Sequence, residues 1–329
     1  MTSAATMPEK GDRAAMLSRM FAWGVIALLF SYLINNYLTV WQEWPGASAV
    51  LHDGGAKTWL QLGIYALFLI IALLLVIRTS TSLLRPDSER IYRITAFIIR
   101  ASFWAVFLIG LSDAVVSFLR VENLLPDIVG DTITTDLSRS TYRGMYLHVP
   151  MLLLGVLIAM VHRGLGFIWL TLLVVVAELL IVLSRFIFSY EQAFMSDLVR
   201  FWYAALFLFA SAYTLIEEGH VRVDVLYSTM SQKTRGLVNA IGSIFLGLSF
   251  CVVIIAFGMG SKSSIINGPL LVFETTQTGF GMYVKYWMAG FLGIFAISML
   301  IQFMGFFLEG LADYRDEPNK RAVTAQGGH

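Results

Sequence analysis

The chain has a single cysteine, Cys251, in 329 residues. An intramolecular disulfide is excluded, and Cys251 sits in an apolar run where it reads as a small buried hydrophobe. Charge is scarce: Asp, Glu, Lys and Arg make up 14% of the residues, where a soluble domain carries about 25%. The formal balance is +1, so no basic excess points to nucleic acid. Of seven prolines, only Pro150 falls inside an apolar run; Pro8, Pro45, Pro86, Pro126, Pro269 and Pro318 lie between runs or in the tails. The sequence therefore lacks the matched pair of Gly/Pro-broken helices, and the polar midplane cluster, that a solute-moving carrier usually shows. No Cys/His group has zinc-ligand spacing. Gly164-Leu165-Gly166 and Gly258-Met259-Gly260 lack the flanking context of a phosphate loop. No nucleophile, base and orienter stand together, so enzymatic activity is not supported. His148 and His162 lie near the two ends of one run, as the ligands of a di-haem anchor would. The facing histidines must then come from a second span, and His52, His220 and His329 are in loops or the tail. The pair reads as two interfacial polar residues, and no cofactor is expected. Met1 to Asp12 has no cleavable-leader pattern, so the first apolar run is expected to act as an uncleaved insertion signal.

What the chain has in quantity is apolar length. The hydrophobic fraction is 57% and the mean hydropathy +0.73. Eight runs, 19–41, 58–78, 92–119, 144–162, 165–188, 197–216, 236–260 and 283–309, approach or exceed the about 20 residues needed to cross a bilayer as helix. Continuous runs exclude the alternating strands of a barrel, and only helices satisfy the backbone in lipid. The expected fold is an all-α, polytopic membrane helix bundle of about eight spans. With the N-terminus inside, Lys10, Arg13, Arg19, Arg78, Arg85, Arg90, Arg93, Arg163, Arg222, Lys233, Arg235, Arg315, Lys320 and Arg321 fall inside. Lys57, Arg120, Arg139, Arg143, Lys262 and Lys285 fall outside, less than half as many. That asymmetry gives N-in and C-in. The expected organisation is a cytoplasmic tail (1–18), additional N-terminal helices (19–163), a four-helix membrane domain (164–311) and a C-terminal tail (312–329).

Local signals add detail. The glycines of His162-Arg163-Gly164-Leu165-Gly166 permit a tight turn. Pro86-Asp87-Ser88-Glu89 reads as a helix start with Asp87 or Ser88 as cap, and Ser231 as the cap of the seventh run. Residues 120–142 read as a long acidic outer loop, and 221–230 as a short interfacial helix or, alternatively, a short extended piece. Among the charged residues in or at the edges of the runs, Arg100, Asp113, Glu178, Arg185, Asp197 and Arg200 are the candidates for intramembrane pairing. Arg185 and Arg200 can snorkel to the interface and Asp197 can start the sixth helix. Glu178 sits well inside its run, is too short to snorkel, and is expected to be paired or protonated. Asp113 precedes Arg120, and Glu178 precedes Arg185, by two turns on one face.

Three stretches then line up in order. Ser184-Arg185-Phe186-Ile187-Phe188 ends the fifth run, Asp197-Leu198-Val199-Arg200 opens the sixth, and Glu217-Glu218-Gly219-His220-Val221-Arg222-Val223-Asp224 follows it. Together they resemble the small (Q-type) membrane subunit of tripartite ATP-independent periplasmic (TRAP) transporters, over about residues 165–310. Glu274-Thr275-Thr276, with Lys285 and Gln302, is similar to a branch labelled for mannitol or chloroaromatic transport, a label that assigns no substrate. Two features depart from the family pattern. The four N-terminal spans are additional, and Ser189-Tyr190-Glu191 replaces the Asn or Pro common after the Arg-aromatic motif.

The resemblance implies a non-catalytic scaffold subunit in the bacterial inner membrane. Its large partner would hold the solute and sodium sites and move as an elevator, and a periplasmic binding protein would deliver an organic acid or similar small solute. Glu178, Arg185, Asp197 and Arg200 would then join the fifth and sixth helices or meet the large subunit. Glu217, Glu218, Gly219, His220, Arg222 and Asp224 would contact that partner at the inner face, and loop 261–284, with Glu274 and Lys285, would face the binding protein. On the residues alone two other readings stay open: a self-contained channel or carrier, and a membrane anchor of a redox complex.

Overall fold

The computed structural model describes residues 12–52, 54–79, 83–163, 167–216, 227–275 and 280–318. In chain order the main helices are α1 (Arg13–Val40), α2 (Ala56–Arg78), α3 (Arg85–Val121), α4 (Leu125–Leu137), α5 (Ser140–Val161), α6 (Phe167–Phe188), α7 (Ala193–Ile216), α8 (Gln232–Met259), α9 (Asn267–Val272) and α10 (Lys285–Tyr314). No strand occurs among the described residues. All except α4 and α9 are long and apolar enough to cross a membrane, and they coincide with the eight runs read from the sequence. The turn at 164–166 and the segment 217–226 lie outside the described residues. Of the segment 221–230, read as an interfacial helix, residues 221–226 lie outside the described residues and Tyr227–Thr229 form a single 3-10 turn.

The chain divides into two compact units. The first comprises Met1–Thr95, Thr214–Ser261 and Ala296–His329; the second comprises Ala96–Tyr213 and Lys262–Phe295. Each draws on both halves of the sequence.

In the first unit α1 and α2 form an antiparallel hairpin sealed by buried amides. Gln61 on α2 donates to Thr39 Oγ1 (2.9 Å) and accepts from the Gly46 amide (2.8 Å), and Asn35 donates to the Gln61 carbonyl (3.3 Å). In lipid such side chains act as glue between helices that gain nothing from water exclusion. α8 meets α10 where both backbones are bare: a Cβ on Gly236 would lie 2.5 Å from the Gly310 carbonyl oxygen. Ser231 caps α8, accepting from the Thr234 amide (3.3 Å), as expected. The cap of α3 differs from expectation. The helix starts at Arg85, and Glu317 Oε2, from the end of the chain, accepts the amides of Leu84 (2.9 Å) and Arg85 (3.4 Å). Asp87 is not a cap because its carboxylate is held by Arg19 (2.5 Å) and Arg90 (3.0 Å); Ser88 instead donates to the Arg85 carbonyl.

In the second unit α5 crosses α3 at Gly155, where a Cβ would lie 2.5 Å from the Ala105 amide nitrogen. Phe291 of α10 packs against Phe201 and Phe209 of α7, with ring centroids 5.0 and 5.1 Å apart. The stretch expected as a long outer loop is largely helical. Pro126 near the first turn starts α4 over a buried Leu125, and α4 breaks at Gly130, whose φ of 81° a side chain would resist. α7 starts at Ala193, so Asp197 lies one turn inside it. α5 carries a π turn at Gly144–His148, directly before Pro150. A proline lacks the amide that the carbonyl one turn back requires, and its ring crowds that carbonyl; a widened turn relieves both.

Candidate functional site: a buried polar cluster and an exposed membrane helix

Asp113, Arg143 and His148 are each 0% exposed and meet inside the second unit. Asp113 Oδ1 accepts from Arg143 Nη1 (3.0 Å) and from His148 Nε2 (3.0 Å), and its Oδ2 accepts the Tyr283 amide (2.8 Å). Arg143 also donates to Ser117 Oγ (3.2 Å) and to the Leu137 carbonyl (3.0 Å), and its guanidinium lies over the Tyr283 ring at 4.2 Å. His148 Nδ1 faces the Tyr286 hydroxyl (2.6 Å) and the Trp287 indole N–H (3.2 Å). An indole N–H only donates, so Nδ1 is the acceptor and the proton sits on Nε2, directed at Asp113. The buried carboxylate and guanidinium offset each other's charge. Asp197 of α7 adds a second anchor: its Oδ2 accepts the Met282 amide (3.0 Å). Carboxylates from α3 and α7 thus hold adjacent amides of the segment that leads into α10. The cluster is a clamp on that segment, and its complete burial keeps solutes from it.

Asp113 pairs with Arg143, not with Arg120. Arg120 instead donates to Tyr283 Oη (2.7 Å) and the Gly281 carbonyl (3.0 Å). Sequence reasoning missed the cluster because an α-helix turns about 100° per residue. That turns residues five apart, such as 143 and 148, about 140° away from each other. The π turn between them brings both to Asp113. The available signal was Pro150, one turn beyond a polar pair.

Among the described residues no ion pair joins α6 to α7. Glu178 is exposed with no partner among them, and Arg185 pairs with Glu191 (3.5 Å), both exposed. Arg200 approaches Asp197 at 4.0 Å, with its side chain 71% exposed. Glu274 and Lys285, named in one motif, do come together at 2.5 Å. Arg100 Nε and the Gln302 amide are buried without a hydrogen-bond partner. Glu217, Glu218, Gly219, His220, Arg222 and Asp224 lie outside the described residues. Ser189, in the departure from the family motif, has φ 51°, a conformation that Asn tolerates better than Ser. Its neighbour Tyr190 donates to Glu122 (2.6 Å), and burial, helped by the hydrogen bond to that carboxylate, pushes the phenol up to about 12. No group of three or more His, Cys, Asp or Glu side chains among the described residues is placed to hold a metal ion.

Eight apolar helices with buried amide and ion-pair ties define an integral membrane helix bundle. Residues 170–313, from α6 to the end of α10, match the family model described as "Tripartite ATP-independent periplasmic transporters, DctQ component". That part of the chain, less than half of it, is similar to the DctQ component of such transporters, and α1 to α5 precede it. No curated protein and no solved structure matches the chain.

Proposed function

We propose that the chain is the small, non-catalytic membrane subunit of a TRAP-type secondary transporter in the bacterial inner membrane, with both termini cytoplasmic. It supports a large membrane subunit that carries the solute and sodium sites and works as an elevator. A periplasmic binding protein brings an organic acid or similar small solute to the outer face. The observation that carries this reading is the family match over residues 170–313, which encloses the Arg185, Asp197–Arg200 and Glu217–Asp224 motifs in order. The clamp on Met282–Tyr283 supports a static role, since it fixes the approach to α10 by buried bonds from two helices. The exposed Arg200 on α7 is a further point of contact for the partner.

The test is co-purification. A tagged chain expressed with the large membrane subunit is expected to retain it in stoichiometric amount through detergent extraction. Purification of the tagged chain alone, under conditions in which both subunits are present in the membrane, would overturn the reading.

A further inference from the structure

Glu178 stands at the middle of α6, ten or eleven residues from either end (Phe167–Phe188), or about 15 Å at helical rise. Ala177 is the single buried residue among 171–188, and Glu178 is exposed. A carboxylate at that depth is too short to reach either interface, and hydrocarbon offers it no donor. The residues around it are ordered. Thr171, Val175, Glu178, Val182 and Arg185 follow one another at steps of four, three, four and three, and all five are exposed. Such an alternation is how one helix receives the side chains of another, and of the exposed lines along α6 this is the one that carries the charged pair Glu178 and Arg185. Its valines are short and stiff, which suits close approach in lipid.

We infer that the Thr171–Arg185 seam of α6 is the docking surface for a membrane helix of the large transporter subunit, one that presents a basic or amide side chain to Glu178 at mid-membrane depth. The inference rests on the subunit reading above and adds the face and the chemistry of contact. Charge complementarity selects the occupant. Lipid tails supply no donor. A second copy of the chain, paired α6 on α6 about a two-fold axis, sets Glu178 against Glu178 at one depth, which repels. A helix from a different chain is free to carry the donor, and an acceptor opposite Arg185.

The experiment places a photo-crosslinking phenylalanine analogue at Val175 or Val182 on the seam, and at Val176 or Leu183 on the far side of α6. It is run in membranes that hold the whole transporter with an epitope-tagged large subunit. The expected result is an adduct with the tagged subunit from 175 and 182, about tenfold weaker from 176 and 183. Glu178→Lys reduces the adduct from 175 about tenfold, and Glu178→Gln, which keeps hydrogen bonding, retains it. Glu178→Leu guards against misfolding: the isolated chain keeps or gains thermal stability in detergent while losing the large subunit. An adduct between two copies of the chain, equal labelling from all four positions, or indifference to Glu178→Lys overturns the proposal. Intact co-purification without a seam adduct refutes this face alone. Failure of the unsubstituted chain to co-purify with the large subunit refutes the subunit reading itself.

Discussion

Asp113 and Arg143 are fully buried counter-ions, so removing one leaves the other uncompensated in a low-dielectric surround. Breaking such a pair costs about 3–5 kcal/mol, whereas replacing both partners with apolar residues is often close to neutral. Asp113→Leu and Arg143→Leu are each expected to lower the thermal midpoint in detergent sharply, and the double variant to recover much of the loss. A double-variant loss equal to the sum of the singles would show that the two residues act independently. Asp12, ahead of the first span, offers a pH test. Its hydrogen bond to Arg315 holds the carboxyl below its ordinary value, with the Ala15 and Ala14 amides acting the same way against burial. A depressed folded value means the contribution is complete above the unfolded value of about 3.9 and is lost as pH falls through the folded one. Wild type and Asp12→Asn should therefore differ in thermal midpoint at pH 7, and the difference should shrink as pH falls through the depressed folded value. A difference that does not shrink on acidification would remove Arg315 as the cause.

Helices were readable in the sequence because hydrocarbon thickness fixes their length and backbone satisfaction fixes their type. Their starts and crossings were not. The cap of α3 comes from Glu317, more than two hundred residues away in sequence, and no local pattern announces a donor–acceptor match at that distance. The Arg143–His148 pairing depends on a π turn, which the 3.6 period conceals. Gly155 carried no sequence signal either, yet the α3–α5 crossing leaves no room for a Cβ there, and the obstacle is backbone that cannot swing aside. Gly155→Val is expected to push α5 away from α3 and destabilise the chain by about 1–3 kcal/mol or more. Wild-type yield and thermal midpoint in that variant would contradict the crossing. Glu178 was legible as an anomaly from sequence alone, and the structure adds that α6 turns it outward.

At the level of the molecule, α3 and α5 share a compact unit with α6, α7 and the start of α10, and α3 and α5 supply Asp113, Arg143 and His148 to the clamp. Removing residues 1–160 therefore takes away Asp113, Arg120 and Arg143, the partners of Tyr283. The truncated chain is expected to fail to accumulate, as judged by membrane immunoblot; a truncated chain as abundant as the full one would show that α6 to α10 stand alone. The motif at Glu217–Asp224 falls outside the described residues, and the distribution of Lys and Arg predicts it at the cytoplasmic face. The most direct test of the scaffold role is reconstitution. Proteoliposomes with both membrane subunits and the binding protein should take up the solute in response to a sodium gradient, with no flux from this chain alone and none from the large subunit without it. Flux through this chain alone, or full uptake in its absence, would contradict the account.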